Sequence, residues 1–411
     1  MSQSGRAVVI GGGIGGLTAA VALHLSGRQV TVLERARSLE PVGAAISLAP
    51  NSLRALDVIG LGDEIRALDA RPGDGALRTP SGRRLSRISA TAVTERFGGP
   101  LVLLPRATLI DRLAARLPAG TVRTGTAATL ADPGDADRPA RVSVPGGVLE
   151  ADLVVAADGV HSAVRRVLFP DHPGAVYAGF TTWRVMIPVP GPEFAPHETW
   201  GRGRIWGTHP LKDGRVYAYA AAVGPAGRRA PDDERAELLR RFGDWHEPVP
   251  SVLAAARPED VLRHDVHHLA RPLPAFHRGR AALVGDAAHA MPPTLGQGGN
   301  QAIEDAIVLA HHQDDLTAYT AARLPRTTRV AAQAVRVARL NMTTSRAVMA
   351  VRDAAVTALS AAAPALFLRG FDGIADWRPP GDAAGPSAAG NEEGPMLRQH
   401  PGRQASEENT P

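Results

Sequence analysis

The glycine-rich stretch Gly11–Gly16 restricts the fold of this chain more than any other feature. It reads Gly-Gly-Gly-Ile-Gly-Gly and contains a G-x-G-x-x-G turn with glycines at its first, third and sixth positions. An apolar run at residues 7–10 precedes the turn, a helical pattern at 17–25 follows it, and a second apolar run ends at Glu34. In such a strand, turn, helix and strand order, the glycines permit a tight turn, close approach of a pyrophosphate, and close packing of helix on strand.

Glu34 strengthens this interpretation. It stands at the spacing expected for a carboxylate that binds ribose hydroxyls, and the N-terminus of the helix offers unpaired N–H groups to phosphates. The sequence therefore predicts a dinucleotide site. The turn alone does not distinguish FAD from NAD, because both contain the same pyrophosphate and ribose.

The pattern of the chain changes between residues 175 and 265, where short apolar runs alternate with turn signals such as Lys212-Asp213-Gly214. This alternation is typical of an antiparallel sheet, and the nucleotide-type pattern resumes at residues 281–284. We therefore predict an α/β fold with a discontinuous Rossmann-like nucleotide domain, an inserted, mostly antiparallel β-sheet substrate domain, and C-terminal helices. The predicted limits are 1–72, 100–174 and 266–340 for the nucleotide domain, 73–99 and 175–265 for the substrate domain, 341–376 for the helices, and 377–411 for a disordered tail.

Composition excludes several other classes of protein. The formal net charge is +5, but the basic residues are nearly all arginine, spread along the chain, and aromatic residues make up only 4%. A nucleic-acid footprint would cluster on one face with aromatics between the charges, so we predict no nucleic-acid partner. The absence of cysteine excludes disulfides and thiolate metal sites, and no apolar run is long enough to span a bilayer. We predict a cytoplasmic monomer or homodimer.

A histidine group could suggest a metal site. His264, His267 and His268 lie close together in sequence, but the last two are adjacent and would point to opposite faces of a strand. We therefore predict no metal site.

Two longer motifs identify the dinucleotide. Leu153–His161 reads Leu-Val-Val-Ala-Ala-Asp-Gly-Val-His, and Ala281–Ala306 contains Gly-Asp-Ala-Ala-His followed by Pro-Pro-Thr-Leu-Gly-Gln-Gly-Gly-Asn. With the N-terminal glycine turn, these motifs resemble those of the FAD-dependent aromatic hydroxylases, which include salicylate, 3-hydroxybenzoate and urate hydroxylases and zeaxanthin epoxidase-like enzymes. The resemblance covers residues 5–345, with the motifs in the family's order.

The resemblance implies roles for individual residues. Asp286 would bind the ribityl hydroxyls, the turn before the helix at Glu304 would meet the pyrimidine edge of the flavin, and Arg106 would lie near the phosphates. Asp158 would contact both FAD and passing NAD(P)H. The full set of implied FAD-binding residues is Gly11, Gly13, Gly15, Gly16, Glu34, Arg35, Gly43, Ala44, Ser47, Arg106, Ala128, Asp158, Asp286, Pro293, Gly296, Gly298, Gly299 and Asn300.

The same resemblance implies the chemistry. Such enzymes are reduced by NAD(P)H, which docks transiently, and they use O2 to hydroxylate an electron-rich aromatic substrate through a flavin C4a-hydroperoxide. The flavin carries the reaction, so no catalytic side chain is assigned. The arginine-rich, cysteine-free composition suggests a high-GC bacterium, and aromatic degradation or secondary metabolism as the setting.

The substrate pocket is expected between the flavin and the inserted sheet. The family layout implies Arg184, Arg204, His209 and Tyr217 as its candidates. In the urate-hydroxylating branch an arginine stands at the position that matches Ile205, so the resemblance implies another substrate.

Alternative functions stay open at this point. The same scaffold supports an oxidase and cyclising or epoxidising tailoring enzymes, and a non-catalytic redox sensor would also bind FAD. Trp183–Pro188 is similar to a halogenase motif, but the lysine that halogenases carry in the N-terminal half has no counterpart, since Lys212 lies in the inserted sheet.

Overall fold

A computed structural model describes residues 5–39, 45–68, 74–188, 194–362 and 368–381. The strands are β1 (Arg6–Ile10), β2 (Gln29–Leu33), β3 (Ala45–Leu48), β4 (Gly75–Arg78), β5 (Arg84–Ile88), β6 (Val102–Pro105), β7 (Val122–Arg123), β8 (Thr129–Asp132), β9 (Ala140–Val144), β10 (Gly147–Ala151), β11 (Leu153–Ala156), β12 (Ala175–Pro188), β13 (His197–Gly201), β14 (Arg204–Pro210), β15 (Arg215–Val223), β16 (Leu262–Leu269), β17 (His277–Arg278) and β18 (Ala281–Leu283). The α-helices are α1 (Ile14–Leu25), α2 (Pro50–Val58), α3 (Gly62–Ala67), α4 (Ala90–Phe97), α5 (Arg106–Ala114), α6 (Ala163–Leu168), α7 (Glu234–Phe242), α8 (Val249–Ala255), α9 (Asp286–His289), α10 (Gly298–His311), α11 (Leu316–Asn341) and α12 (Arg346–Ala362). In these described ranges, no helix is both long and apolar enough to cross a membrane.

The nucleotide-type half is built on a six-stranded sheet with the order β17-β18-β11-β1-β2-β7. Five of its strands are parallel, and only β17 runs antiparallel to its neighbour. The central strands are buried on both faces, with Val9, Val155 and Leu283 fully inside the core. This burial explains their continuous apolar runs, because helices cover both sides of a parallel sheet.

The second large sheet has seven strands in the order β16-β12-β15-β14-β13-β4-β5. All its neighbouring pairs are antiparallel except β13 and β4. One face packs Trp183, Val185 and Trp206 against Phe242 of α7. Because side chains alternate along a strand, the intervening residues lie on the opposite face, which meets the nucleotide-type half. We call this opposite face the pocket face.

These sheets confirm the predicted α/β fold class, a Rossmann-like sheet combined with a mostly antiparallel one. Residues Met1–Pro379 form one compact unit that includes both sheets, so the domain limits given above stay a prediction. The C-terminal region differs in detail from its predicted helices. Helix α12 ends at Ala362, residues 372–376 form turns, and Trp377 packs against Arg323 and Arg326. The predicted tail beyond residue 381 lies outside the described residues.

Candidate cofactor and substrate site

The glycine turn between β1 and α1 is tightly packed on one side and open on the other. Gly11 has φ +109°, and a Cβ there would overlap the carbonyl oxygen of Ala157. A Cβ on Gly16 would overlap the carbonyl of Gly11, so both positions require glycine. A Cβ on Gly13, in contrast, would meet only Arg106 Nη2, at 3.8 Å. The open side lies at the uncapped start of α1, where unpaired N–H groups favour an anion.

Glu34 lies directly above this turn. Its Oε2 accepts a hydrogen bond of 2.7 Å from the Gly12 N–H, and its Oε1 accepts one of 2.8 Å from the Ala36 N–H. A carboxylate has about four acceptor positions, so two remain for ribose hydroxyls. Arg35 is exposed beside it, and Ala128 is partly buried on the segment after β7, which pairs with β2.

Arg106 lies between the glycine turn and Asp286 of the Ala281–Ala306 motif. Its side chain is exposed, yet protein atoms surround it on several sides, and this desolvation lowers the pKa of the guanidinium. Asp286 opposes the shift and Arg184 adds to it, so these three charged groups are electrostatic neighbours. Asp286 Oδ1 also lies 3.8 Å from a Cβ placed on Gly298. A continuous track therefore runs from Glu34 past Gly13, Arg106 and Asp286 to the start of α10.

The start of α10 is also held open for a ligand. Gly296 has φ +64° in the left-handed region, and the helix begins without a side-chain cap. Asn300 is fully buried, and its side chain is occupied: it accepts from the Ala49 N–H at 2.8 Å and donates to the carbonyls of Ser47 at 2.9 Å and Gly296 at 2.7 Å. Asn300 therefore fixes the turn to β3, while the backbone N–H groups of Gly298 and Gly299 remain for a ligand.

The remaining predicted cofactor residues lie in different surroundings. Gly15 packs against α10, where its Cβ would lie 3.2 Å from Ala302 Cβ. Pro293 is exposed at the start of a short 3-10 helix before Gly296. Gly43 and Ala44 lie outside the described residues.

Asp158 has a structural role in this conformation. Its Oδ2 accepts hydrogen bonds from the Ala163 N–H at 2.8 Å and the Val164 N–H at 3.1 Å, and so caps α6. Its Oδ1 is buried without a hydrogen-bond partner among the described residues. An orphaned carboxylate oxygen of this kind leaves room for a donor from a ligand.

The pocket face brings three of the four predicted substrate residues together. Arg184 on β12, His209 on β14 and Tyr217 on β15 share it, and the His209 ring stacks on Tyr219 with centroids 5.7 Å apart. Burial raises the pKa of Tyr217, which Arg184 partly offsets, and lowers the pKa of His209 to about 4. The histidine is therefore neutral near pH 7. Apolar contacts from Leu103 and Leu211 surround Tyr217.

Arg204 lies on the other face of the sheet, away from these residues. Its guanidinium stacks over the rings of Phe242 and Trp245, at 5.9 and 5.5 Å from their centroids, and donates to the Arg241 carbonyl. The alternation along β14 places Arg204 and Trp206 on the face of α7 and places Ile205, Gly207 and His209 on the pocket face. We therefore leave Arg204 out of the proposed pocket.

The sequence analysis missed a polar cluster on the pocket face. Glu198 of β13 accepts hydrogen bonds from the Tyr219 hydroxyl and the Trp200 indole N–H. We call Glu198, Trp200 and Tyr219 the Glu198 cluster. The available signal was a glutamate two residues before a tryptophan, within the region predicted to be an antiparallel sheet, but the partner Tyr219 comes from another strand.

The fold and this track define a flavin-dinucleotide protein. An extended nucleotide finds a ribose carboxylate at one end, an anion site in the middle and an uncapped helix start at the other, as FAD requires. The family model described as "FAD binding domain" matches residues 5–334, and the chain belongs to this family.

Proteins of known activity and structure agree with this assignment. The chain is 34% identical over 348 residues to aurachin C monooxygenase/isomerase of Stigmatella aurantiaca, covering 82% of this chain and 89% of the relative. It is 36% identical over 360 residues to 3-amino-4-hydroxybenzoate 2-monooxygenase of Streptomyces cremeus, covering 81% and 86%. The crystal structure of Klebsiella pneumoniae HpxO complexed with FAD and uric acid superposes with a TM-score of 0.80 at 30% identity, covering 87% and 94%.

These findings confirm the resemblance to the FAD-dependent hydroxylases. The chain is an FAD-dependent monooxygenase, and its cofactor is FAD.

Proposed function

We propose that this chain hydroxylates a small or polycyclic aromatic substrate, with FAD held along the track and with NAD(P)H and O2 as co-substrates. The observation that carries the proposal is the continuity of the track, from Glu34 through Gly13, Arg106 and Asp286 to Gly298, beside a partly apolar pocket face. The relatives support the substrate class, because their names give 3-amino-4-hydroxybenzoate, aurachin C and urate.

FAD, when bound, supplies the redox chemistry of the reaction. The chain's own residues would bind FAD and orient it. The N–H groups at the start of α1, together with Arg106, would hold the pyrophosphate, and Asp286 would accept hydrogen bonds from the ribityl hydroxyls. The N–H groups at the start of α10, a helix of 14 residues, would stabilise negative charge at the pyrimidine edge without a cationic side chain.

The pocket face positions the substrate and excludes water. The charge of Arg184 on this face acts on Arg106, and the Arg184 guanidinium suits a phenolic, carbonyl or carboxylate oxygen of the substrate. Neutral His209 and Tyr217 offer hydrogen bonds without adding charge. Apolar neighbours such as Leu103 and Met186 keep water away from the reacting atoms.

The name of the Stigmatella relative also favours a second outcome. That protein is described as both monooxygenase and isomerase, so oxygen transfer followed by rearrangement of the product is a candidate reaction for this chain. Product structure separates it from simple hydroxylation. The cytoplasmic location and the monomeric or homodimeric state stay predictions.

The test uses the purified protein with a panel of phenols, aminohydroxybenzoates and quinolones. We expect yellow protein with flavin absorption, NADH or NADPH oxidation that rises on addition of one panel member, and a product that carries one atom from isotopically labelled O2. Consumption of NAD(P)H without labelled product would favour an oxidase. Protein that binds no FAD, or no stimulation by any panel member, would contradict the proposal.

A further inference from the structure

The Glu198 carboxyl group stands out because it forms no salt bridge with any residue that the structure describes. Its hydrogen-bond partners in the described part of the chain are two neutral donors, the Tyr219 hydroxyl and the Trp200 indole N–H. Glu304, the fully buried glutamate of α10, is instead paired with Arg323 at 2.5 Å and Arg326 at 2.7 Å. A carboxyl group that only holds a fold together is normally paired in that way, because an unpaired charge away from water is costly.

The surroundings of Glu198 resemble those of a functional carboxyl group. Its side chain is only partly buried, but the protein atoms around it desolvate it and raise its pKa. Ionisable groups whose pKa is shifted by desolvation are candidates for binding and catalytic sites. In the ionised form each carboxyl oxygen accepts one hydrogen bond from Tyr219 or Trp200 and has capacity for one more.

Gly207 is required for this arrangement. Glu198 pairs with Gly207 across β13 and β14, and Gly207 pairs with Tyr219 across β14 and β15. The tyrosine ring leans over Gly207 to reach Glu198, and a Cβ on Gly207 would overlap that ring. The missing side chain is what lets a residue on β15 touch a residue two strands away.

The same line of paired residues ends at Arg184, which pairs with Tyr219 across β12 and β15. Three strand spacings of about 4.8 Å separate the backbone at Arg184 from that at Glu198, or about 14 Å. The Tyr219 ring lies along this line, so a substrate of one or two fused aromatic rings would lie over the Tyr219 ring to reach both ends. This row of residues thus has a positive end at Arg184, near Arg106 and Asp286, and an end at Glu198 that accepts hydrogen bonds.

We propose that the Glu198 carboxyl group determines specificity by accepting a hydrogen bond from an N–H or O–H group of the substrate ring, while Arg184 binds an oxygen on its opposite side. The inference rests on the proposed function, since it assumes that this face binds the substrate. The substrate class is an aromatic or heteroaromatic ring with a donor and an acceptor oxygen at opposite positions, of which 4-quinolone is the simplest probe. A substrate carboxylate would therefore bind at the Arg184 end, with the N–H or O–H donor at the Glu198 end.

The test measures binding of 4-quinolone and 1-methyl-4-quinolone to the FAD-loaded protein, from the change in flavin absorption. The two probes share the ring and the oxygen, and only the first has the N–H donor. We expect 4-quinolone to bind at least about tenfold more tightly to the natural chain. In E198Q that preference should fall to about twofold or less, because the amide replaces one acceptor oxygen with an N–H2 donor and its remaining oxygen is taken by Trp200 or Tyr219. The exposed Glu150→Gln variant is the matched control and should keep the full preference.

A second variant covers the case in which E198Q does not fold. Tyr219→Phe removes one donor that orients the carboxyl group, and a smaller loss of the same preference is expected. Equal binding of both probes by the natural chain, an unchanged preference in E198Q, or binding of neither probe would overturn the inference. Labelled product from the panel above, together with any of these results, would leave the proposed function standing. Selective binding of 4-quinolone, without turnover of any panel member, would support this inference and contradict the proposed function.

Discussion

His209 shows how one residue of the pocket links stability to pH. Its ring stacks on Tyr219 on the pocket face, and burial lowers its pKa to about 4. His197, buried beneath the other face of the sheet, has a pKa lowered to about 4 by the same cause. An unfolded histidine has a pKa near its ordinary value of about 6.5, so acid protonates the unfolded chain first.

The sign of the effect follows from this difference. The full stability is present above about pH 6.5 and is lost as the pH falls towards about 4, because only the unfolded chain binds the protons in that range. We expect unfolding near pH 5 to take up about one proton fewer in His209→Gln than in the natural chain, measured from denaturant unfolding at several pH values. His197→Gln should give a similar reduction. An unchanged pH slope in His209→Gln would show that the histidine is already protonated in the folded protein.

At the scale of elements, two substitutions in the turn between β1 and α1 should have different effects on folding and on cofactor binding. Gly13→Ala places its methyl group in the open side of the turn, where only Arg106 is near, so folding should be retained. The same methyl group occupies the space proposed for the pyrophosphate, and we expect the Kd for FAD to rise at least about tenfold.

Gly16→Ala is the matched comparison. Its methyl group would overlap the Gly11 carbonyl, so this variant should lose thermal stability even before FAD is added. Thermal melting without FAD and FAD titration together distinguish the two effects. If Gly13→Ala bound FAD as the natural chain does, the pyrophosphate would have to lie elsewhere.

Helix α10 is held in place by a buried ionic network. Arg323 of α11 is 1% exposed and donates to Glu304 at 2.5 Å and to Asp305 at 2.7 Å, and Asp305 also accepts from the Gly285 N–H at 2.9 Å. The network therefore joins α10 and α11 to the turn that carries Asp286.

Removing Arg323 should take from both buried carboxylates their shared guanidinium, which leaves Glu304 with Arg326 and Asp305 with His289. We expect Arg323→Met to lower the free energy of unfolding by about 3–5 kcal/mol, measured by denaturant titration of the FAD-free protein. The start of α10 should also shift, which would weaken FAD binding. Arg329→Met, at an exposed position of the same helix, is the control and should change little. A loss below about 1 kcal/mol in Arg323→Met would mean that water reaches the network.

At the scale of the whole molecule, local motifs were predictable and contacts between distant strands were not. The positions of Glu34, Gly13 and Gly298 follow from short motifs, because each motif is one turn between a strand and a helix. The Glu198 cluster depends on the register of β13, β14 and β15, which no local pattern specifies.

The assignment of Arg204 to the pocket failed to allow for the same geometry. Successive residues on a strand point to opposite faces of the sheet. Arg204 and His209 are five positions apart on β14, so they cannot lie on the same face. The packed C-terminal segment also escaped prediction, since its partners lie far away in sequence. Arg54 donates to the carbonyl of Trp377, 323 positions later, at 2.8 Å.

The segment from Leu368 to Pro379 packs against α2 and α11, close to the start of α10. Arg326 donates to the carbonyls of Gly373 at 2.5 Å and Ile374 at 2.8 Å, and Ile374 packs against Met291, beside the Pro-Pro turn that precedes α10. Arg54 donates to the carbonyls of Ala375 and Trp377. Guanidinium groups on α2 and α11 thus both donate hydrogen bonds to backbone carbonyl groups of this one short segment.

Deleting this segment should therefore affect the cofactor as well as stability. We compare a chain that ends at Pro379 with one that ends at Phe367. The shorter chain removes the carbonyl groups that Arg54 and Arg326 reach in this segment and exposes Met291, and each buried donor left unpaired costs about 1–3 kcal/mol. We expect it to melt at a clearly lower temperature and to bind FAD more weakly, whereas the chain ending at Pro379 keeps every contact named here and should match the full chain in both. Equal FAD affinity in the two truncated chains would show that the segment stabilises the fold without supporting the flavin edge, and would assign that support to the ionic network of α10 alone.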